Sequence, residues 1–499
     1  MRVTFVAEAY ESLGIEYLSS SLKNAGHFVS LVYDPKLFYD AFCRISWINK
    51  KYFSENTLID RIAATAPDIV AFSVMSETFN WSRDIAAKVK DRLNTPIIFG
   101  GIHATTCPEQ VLEEECIDIV CIGEGEAAFV ELANRFDRLH RINLQGIKNL
   151  FFKSNSEIIR NPAGFILDDL DKLANPDKQL FIHEAPHMAK RYYIMTSRGC
   201  PYTCSFCYNS TLEDKKKYIR KRSVANVIGE LKWALKSGIR YSYVIFGDDT
   251  FIQNKKWLSD FLEVYRIEIN KPFVCAVHPR QLDRDTLNLL KISGCTDIEI
   301  GIQTLNQSIR SNVLNRPESN EEIMRAMKLV KESGIRLIVD HIGGLPGESI
   351  EDYEKAVVEY KRYRPNFIAF FWLAFYPKTK ILKNCCKSNI LSENALEGIY
   401  RGKGIDGKGG YNIVRMEYVG FEFIFALIPI LPDFILRIII KHKLYRLIKK
   451  RMVGMMVIFP RLIRSIIDLN FNPFFRHISR YADFFYYMHI NTKRKDKIL

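Results

Sequence analysis

Twice along the chain, short apolar runs alternate with stretches of helical periodicity, and this alternation leaves few folds open. In the first part the runs "VTFVA", "FVSLVY", "DIVAFSV", "PIIFGG" and "DIVCIGEGE" are separated by amphipathic segments such as Leu13 to Ala25 and Trp81 to Leu93. Short runs that alternate with helices read as parallel strands joined by crossovers, which predicts an open doubly wound α/β sheet with ligands at the carboxyl ends of its strands. The stretch "IKNLFFKSNSEIIRN", 147–161, reads as two strands around a polar turn, and "LDDLDKLANPD" closes a linker. After Arg191 the alternation resumes with "YYIMTS", "YSYVIFG", "FVCAVH", "DIEIGIQ", "RLIVDHIGG" and "FIAFFWLAFY", separated by helical stretches such as Val224 to Ser237 and Glu321 to Ser333. Six such runs predict a parallel sheet curling into a barrel that stays open. The expected organisation is an α/β unit over 1–145, a hairpin and linker over 146–190, a partial barrel over 191–385 and a basic, apolar helical region over 386–499.

"SRGCPYTCSFCYN" follows the first barrel strand, in the loop position where parallel barrels build active sites. It holds Cys200, Cys204 and Cys207 with no fourth cysteine nearby. Three thiolates can hold three irons of a cubane cluster and leave the fourth iron open to a small molecule. A zinc site completed by His183 or His187, or a set of reactive thiols, are the alternatives that these residues leave open. Eleven cysteines among 499 residues are too sparse for a disulfide scaffold, and the start "MRVTFVAEAY" lacks the pattern of a signal peptide, so reduced thiols and a cytoplasmic location are expected.

The net charge of +14 raises the question of nucleic acid, but the excess sits late. From Arg437 to Arg464 there are nine Lys or Arg and no Asp or Glu, set among large aliphatic residues. That pattern suits an anionic membrane surface or an oily partner better than nucleic acid, which is not expected as a partner. The apolar stretch "VGFEFIFALIPILPDFIL" is broken by Glu422, Pro429, Pro432 and Asp433 and is too short to cross a bilayer. A packed helical subdomain with a basic exterior is the plainer reading of the same residues.

Taken together, the cysteine spacing and the order of the later motifs resemble the radical S-adenosylmethionine (SAM) enzymes, specifically their cobalamin-binding branch, over about residues 1–382. The resemblance implies a Rossmann-like cobalamin-binding domain, a partial (β/α)6 radical SAM barrel and a helical C-terminal region. The family's CxxxCxxC loop matches Cys200, Cys204 and Cys207 as ligands of a 4Fe–4S cluster, with Phe206 as the usual aromatic before the last cysteine. "FGDDTF" resembles the acidic pair that follows the second barrel strand, which implies Asp248 and Asp249 near the amino group of bound SAM. "IEIGIQTLN" puts Gln303 where relatives carry a Glu for a ribose hydroxyl. "HIGGLPGES" resembles the glycine motif that admits adenine, implying Gly343 and Gly344; His341 within it reads more simply as a hydrogen-bonded strand residue than as an acid or base. "FYPKTKI" resembles a Pro-Gly-Thr turn with Lys378 in place of Gly.

The N-terminal unit carries the cobalamin half of the resemblance. Ser73 is followed 27 positions later by Gly100 and Gly101, the family's spacing for the pocket of the nucleotide tail. "ESLGIEYLSSSLKNAGH", with Leu13 and Gly14, resembles the family's first loop and helix. "GGIHATTCPEQVLEEECIDIVCIGEGEAAF" resembles its later loops, with Gly123, Glu124 and Glu126; His103 there matches a loop residue rather than a ligand. Asp34 in "DPKLFY" aligns with the family's Asp-x-His-x-x-Gly, but Lys36 stands where the cobalt-ligating His would be. The implied activity is reductive cleavage of SAM to a 5'-deoxyadenosyl radical that activates a C–H bond, with methyl transfer from methylcobalamin to a hydrophobic, lipid- or isoprenoid-like substrate as the leading outcome and cyclisation or oxidative rearrangement as the other. An electron donor such as flavodoxin or ferredoxin and peripheral contact with an anionic membrane complete the expectations.

Overall fold

The computed structural model describes residues 1–37, 47–48, 53–136, 143–154, 157–164, 166–212, 215–402, 418–468, 481 and 483–487. Its first sheet has the order β2-β1-β3-β4-β5-β6-β7. The strands are β1 (Arg2–Glu8), β2 (Phe28–Asp34), β3 (Ile69–Ser73), β4 (Ile97–Gly100), β5 (Ile119–Cys121), β6 (Leu150–Ser154) and β7 (Glu157–Arg160). β1 to β5 are parallel, and β6 and β7 continue the sheet antiparallel. The 2-1-3-4-5 order places a topological switch between β1 and β3, where a crevice opens above the strand ends.

Alternate residues of each strand feed cores on opposite faces. Val3, Phe5 and Ala7 join a cluster with Leu22, Phe129 and Leu132, whereas Val6 packs with Leu58, Ile85 and Val89 on the other side. Covered on both faces, such strands must be apolar throughout, which is why they are legible as unbroken runs. The hairpin over 147–161 is not a free linker. Phe151 and Phe152 of β6 pair with Val120 and Ile119 of β5, so the hairpin extends the N-terminal sheet.

The second sheet is all parallel, in the order β15-β14-β13-β12-β11-β8. Its strands are β8 (Arg191–Ile194), β11 (Tyr243–Phe246), β12 (Phe273–Val277), β13 (Cys295–Gln303), β14 (Arg336–Gly343) and β15 (Phe367–Trp372). β15 and β8 are its edges, so the barrel stays open. A two-stranded ribbon, β9 (Ser197–Arg198) with β10 (Arg220–Lys221), brackets the cysteine loop.

The C-terminal region is not one body. Phe421 and Phe425 of the helix Val419–Leu427 are buried against the barrel core, and Trp372 donates its indole N–H to Glu422 at 3.1 Å. By contrast, Tyr481, Phe484 and Tyr487 pack on the N-terminal sheet, and Asp483 bonds His187. Among the described residues no helix is long and apolar enough to cross a membrane.

Candidate active site

The strand ends of the N-terminal sheet face the start of the cysteine loop across a cavity of about 380 Å³. Leu13, Gly14, Ser73, Gly100, Gly101, Gly123 and Glu124, all singled out in the sequence, line one side. Ser197, Arg198, Gly199 and Asp249 of the barrel line the other. Much of the remaining wall is apolar, with Phe5, Leu18, Ile98, Phe129 and Met195.

The glycines fall into two kinds. Gly101 has φ +90°, and a Cβ there would lie 2.7 Å from the backbone N and O of Val74, so the turn itself requires glycine. Gly100 would hold a Cβ at ordinary contact, 3.7 Å from the Cys121 carbonyl, and Gly14 likewise at 3.8 Å from Ser12 Oγ. Their bareness leaves the cavity open, which fits the accommodation of a large ligand across these strand ends.

Lys36 does not reach this cavity. Its ammonium bonds Glu8 at 2.8 Å and Asp34 at 3.3 Å and lies 4.4 Å from the Trp81 ring centre. Burial alone would lower its pKa, but Asp34 and Glu8 outweigh that and raise it. A side chain held charged in this way offers no lone pair to cobalt. His103 is also engaged: it is buried, with Nδ1 2.9 Å from Ser76 Oγ. Bound cobalamin reduced to cobalt(II) is therefore expected to show no hyperfine splitting from a protein imidazole in electron paramagnetic resonance; such splitting would mean that a histidine reaches the metal.

The cysteine loop is held in place by its neighbours. Gly199 opens it at φ +82°, where a Cβ would come within 2.4 Å of the Tyr218 carbonyl, a position closed to any side chain. Tyr202 stacks on His278 at 3.7 Å, Ser205 N–H donates to Leu314 O at 2.9 Å, and Asn315 donates to Thr203 Oγ1 at 2.7 Å. Phe206 packs into an apolar cluster with Leu345, Leu373 and Leu382, so it anchors the loop from behind.

Cys200, Cys204 and Cys207 form no disulfide and are half-buried. Burial, with Asp249 and the other two thiols nearby, pushes the Cys200 thiol up to about 11, although the Tyr202 backbone N–H opposes the rise. A bare thiolate is disfavoured there, and cationic iron would hold the deprotonated form. The zinc alternative finds no support in the two histidines. His187 is buried with Nδ1 2.7 Å from Asp483, and His183 is exposed on the helix Lys178–Glu184, which packs on β2.

On the nucleotide side the residues singled out in the sequence differ in what they touch. Asp248 is 3% exposed and accepts from Thr196 N–H and Oγ1 at 3.0 and 2.8 Å and from Ser197 Oγ, so it ties the ends of β8 and β11 together instead of facing the cavity. Only Asp249 of the pair lines it, with Asn209 donating to its carboxylate at 2.9 Å. Gly343 is bare for packing: a Cβ would sit 2.3 Å from the Phe370 ring. Gly344 takes φ +76° and donates its N–H to the Tyr353 hydroxyl at 2.7 Å. Gln303 is buried at φ +68°, a left-handed strand end, with its amide over Gly301. His341 is buried with Nδ1 2.9 Å from Tyr360 Oη. Lys378 keeps φ +63°, so the turn retains a glycine-like backbone without the glycine.

Glu124 lines the cavity, yet its carboxylate is taken. Arg198 reaches it at 3.1 Å, and Arg220 grips it from the ribbon at 2.5 and 3.1 Å, while Arg198 also bonds Glu126 at 2.5 Å. Burial would raise the Glu124 pKa, but these guanidiniums prevail and lower it. The acids follow β5 of the first sheet, Glu124 in the loop and Glu126 at the start of the next helix, and the arginines belong to the strands that bracket the cysteines, so this network fastens the two walls together. The sequence reading missed it, as it missed Arg316, whose Nη1 lies 3.6 Å from Cys204 Sγ. The one available signal was a cationic residue, Arg198, immediately before the glycine of a cysteine loop.

With this geometry in place, comparison with known proteins defines the class. Residues 194–358 match the radical SAM superfamily and residues 3–133 match the B12 binding domain. An uncharacterized methyltransferase of Pyrococcus horikoshii is 28% identical over 334 residues, 65% of this chain and 71% of that protein. An anaerobic magnesium-protoporphyrin IX monomethyl ester cyclase of Cereibacter sphaeroides is 26% identical over 384 residues, 71% of this chain and 59% of that one. Among solved structures, the radical SAM methyltransferase TsrM from Kitasatospora setae, with tryptophan and a SAM analogue bound, superposes with a TM-score of 0.62 at 19% identity, covering 78% of this chain and 76% of that one. The apo form of the cobalamin-dependent enzyme OxsB gives 0.65 at 15% identity, covering 96% and 75%. The chain is a radical SAM enzyme. It carries both a radical SAM domain and a B12 binding domain, which imply a 4Fe–4S cluster, SAM and cobalamin as its cofactors.

Proposed function

We propose that this enzyme transfers a methyl group from methylcobalamin to an unactivated carbon of a hydrophobic small molecule, with Cys200, Cys204 and Cys207 as the cluster ligands. When bound, the three cofactors supply a one-electron cut of SAM, a carbon-centred hydrogen abstractor and a methyl donor. The observation that carries the reading is the shared cavity: strand ends matched to the B12 binding domain and the start of the cysteine loop enclose one space.

The chain's own residues have definite tasks in this reading. Gly14 and Gly100 leave room above the first sheet. Asp249 presents a carboxylate to the cavity, suited to a substrate or cofactor ammonium. Phe5, Leu18 and Phe129 exclude water from the wall, which protects a radical from quenching and favours an apolar substrate. Arg198 and Arg220 hold the walls at fixed spacing.

A second reading, radical cyclisation or oxidative rearrangement without methyl transfer, is favoured by the likeness to the cyclases of Cereibacter sphaeroides and Rubrivivax gelatinosus, 26% and 25% identical. One experiment separates the two. Anaerobic reconstituted enzyme is incubated with hydrophobic extracts, methyl-labelled SAM, cobalamin and a flavodoxin or ferredoxin system, and products are read by mass spectrometry. Label in a lipophilic product is the expected result. Substrate that loses hydrogen without gaining label would overturn methylation in favour of cyclisation.

A further inference from the structure

At the end of the barrel opposite the cavity, residues leading into β14 and β15 form a groove of about 520 Å³ with the C-terminal helices. Its wall carries Lys331, Arg336, Lys361, Arg364 and Arg464. Two of these are neutralised locally: Arg336 bonds Asp297, and Arg464 bonds Asp468 at 2.6 Å. Lys361 is 7% exposed and, among the described residues, its ammonium meets main-chain carbonyls, Ile428 O at 3.2 Å and Leu431 O. Lys331 and Arg364 are exposed and pair with no carboxylate among the described residues. Burial, with Arg364, Arg464 and Lys331 close by and only Asp433 opposing them, lowers the Lys361 pKa, as expected where positive charge is left uncompensated.

The helices beside this groove are unusually apolar on the outside. On the helix Asp433–Lys441, Phe434 and Ile438 are 64% and 47% exposed, one turn apart, with exposed Arg437 and Lys441 next to them. On the helix Lys450–Ile467, Met455 and Phe459 are each 65% exposed and Ile466 is 52% exposed, a stripe along one face. Neither helix is long and apolar enough to span a bilayer. Apolar side chains beside exposed cations on short helices are the composition of helices that lie in a membrane interface.

We propose that this face docks on an anionic phospholipid bilayer, with a lipid phosphate seated in the groove between Lys331, Lys361 and Arg364 and the exposed side chains of the two helices entering the acyl boundary. Charge complementarity selects this occupant, since the groove is cationic and its neighbours are both basic and greasy. The docking face stands apart from the cavity and does not depend on which reaction the enzyme performs.

The test is flotation of the full-length enzyme with vesicles of phosphatidylcholine alone or with phosphatidylglycerol. The wild type is expected to bind only the vesicles containing phosphatidylglycerol, and to release them as salt rises and the Debye length falls to about 3 Å at 1 M. Removing two charges with Lys331→Gln/Arg364→Asn should weaken that binding about 30-fold, since each basic residue near an anionic surface contributes roughly a fivefold factor. Asn suits position 364, whose φ is +48°. A second variant, Met455→Ser/Phe459→Ser, alters only exposed side chains and should also lower binding. Unchanged binding by either folded variant, equal binding to phosphatidylcholine, or displacement by millimolar inorganic phosphate at matched ionic strength would each overturn the proposal, the last by showing a site for free phosphate.

Discussion

Alanine at Cys200, Cys204 or Cys207 is expected to abolish formation of 5'-deoxyadenosine from SAM while the protein remains folded. In the proposed site each thiolate would hold a separate iron, so the loss of one would leave the cluster incomplete. The fold is expected to survive because the loop rests mainly on groups other than its thiols. Tyr202 stacks on His278, Ser205 bonds the 313–314 backbone, and Phe206 sits in its apolar cluster. Product analysis by chromatography, iron content and a thermal melt check all three parts. Deoxyadenosine at the unaltered level, or stoichiometric zinc in place of iron in the parent protein, would end the cluster assignment.

Phenylalanine at Gly100 is expected to give the complementary phenotype, a folded chain that cleaves SAM but takes up little cobalamin. The Cβ itself has room, 3.7 Å from its nearest neighbour, so the strand end tolerates it. The ring beyond it must occupy the cavity that Gly100 lines. Overpacking costs of about 1–3 kcal/mol correspond to roughly a five- to 150-fold loss of affinity. The visible spectrum after loading and gel filtration measures that loss. Uptake equal to that of the parent would show that the corrin lies elsewhere. The same change at Gly101 would confuse the result, because a Cβ there meets Val74 and would disturb the fold itself.

The strands were legible because β1, β3 and β4 are covered on both faces and must be apolar throughout, a pattern that survives without knowledge of partners. The destination of the 147–161 hairpin was hidden, because two short strands and a turn look the same alone or joined to an edge such as β5. Within the site, residue type was easier to read than direction. Asp248 and Asp249 are consecutive acids just past a strand, and only the structure tells which one meets Thr196 and Ser197 and which meets the cavity. Gly343 illustrates the same limit, since a glycine that admits a ligand and one that admits Phe370 leave identical traces in a sequence. Glu124 was legible only as a residue of a loop resembling the cobalamin-binding family's, and its partners Arg198 and Arg220 lie far along the chain, where no local pattern joins them.

The bond between Arg198 and the Glu124–Glu126 pair gives the enzyme a property that neither wall has alone. Arg198 immediately precedes the glycine that opens the cysteine loop, so order in the first sheet and order in the loop are thermodynamically linked. Free energy gained by whatever steadies one wall is passed to the other, and linkage requires the same transfer in reverse. The enzyme's readiness for its two large cofactors is therefore expected to rise and fall as a single quantity, through three ionic side chains that themselves line the cavity.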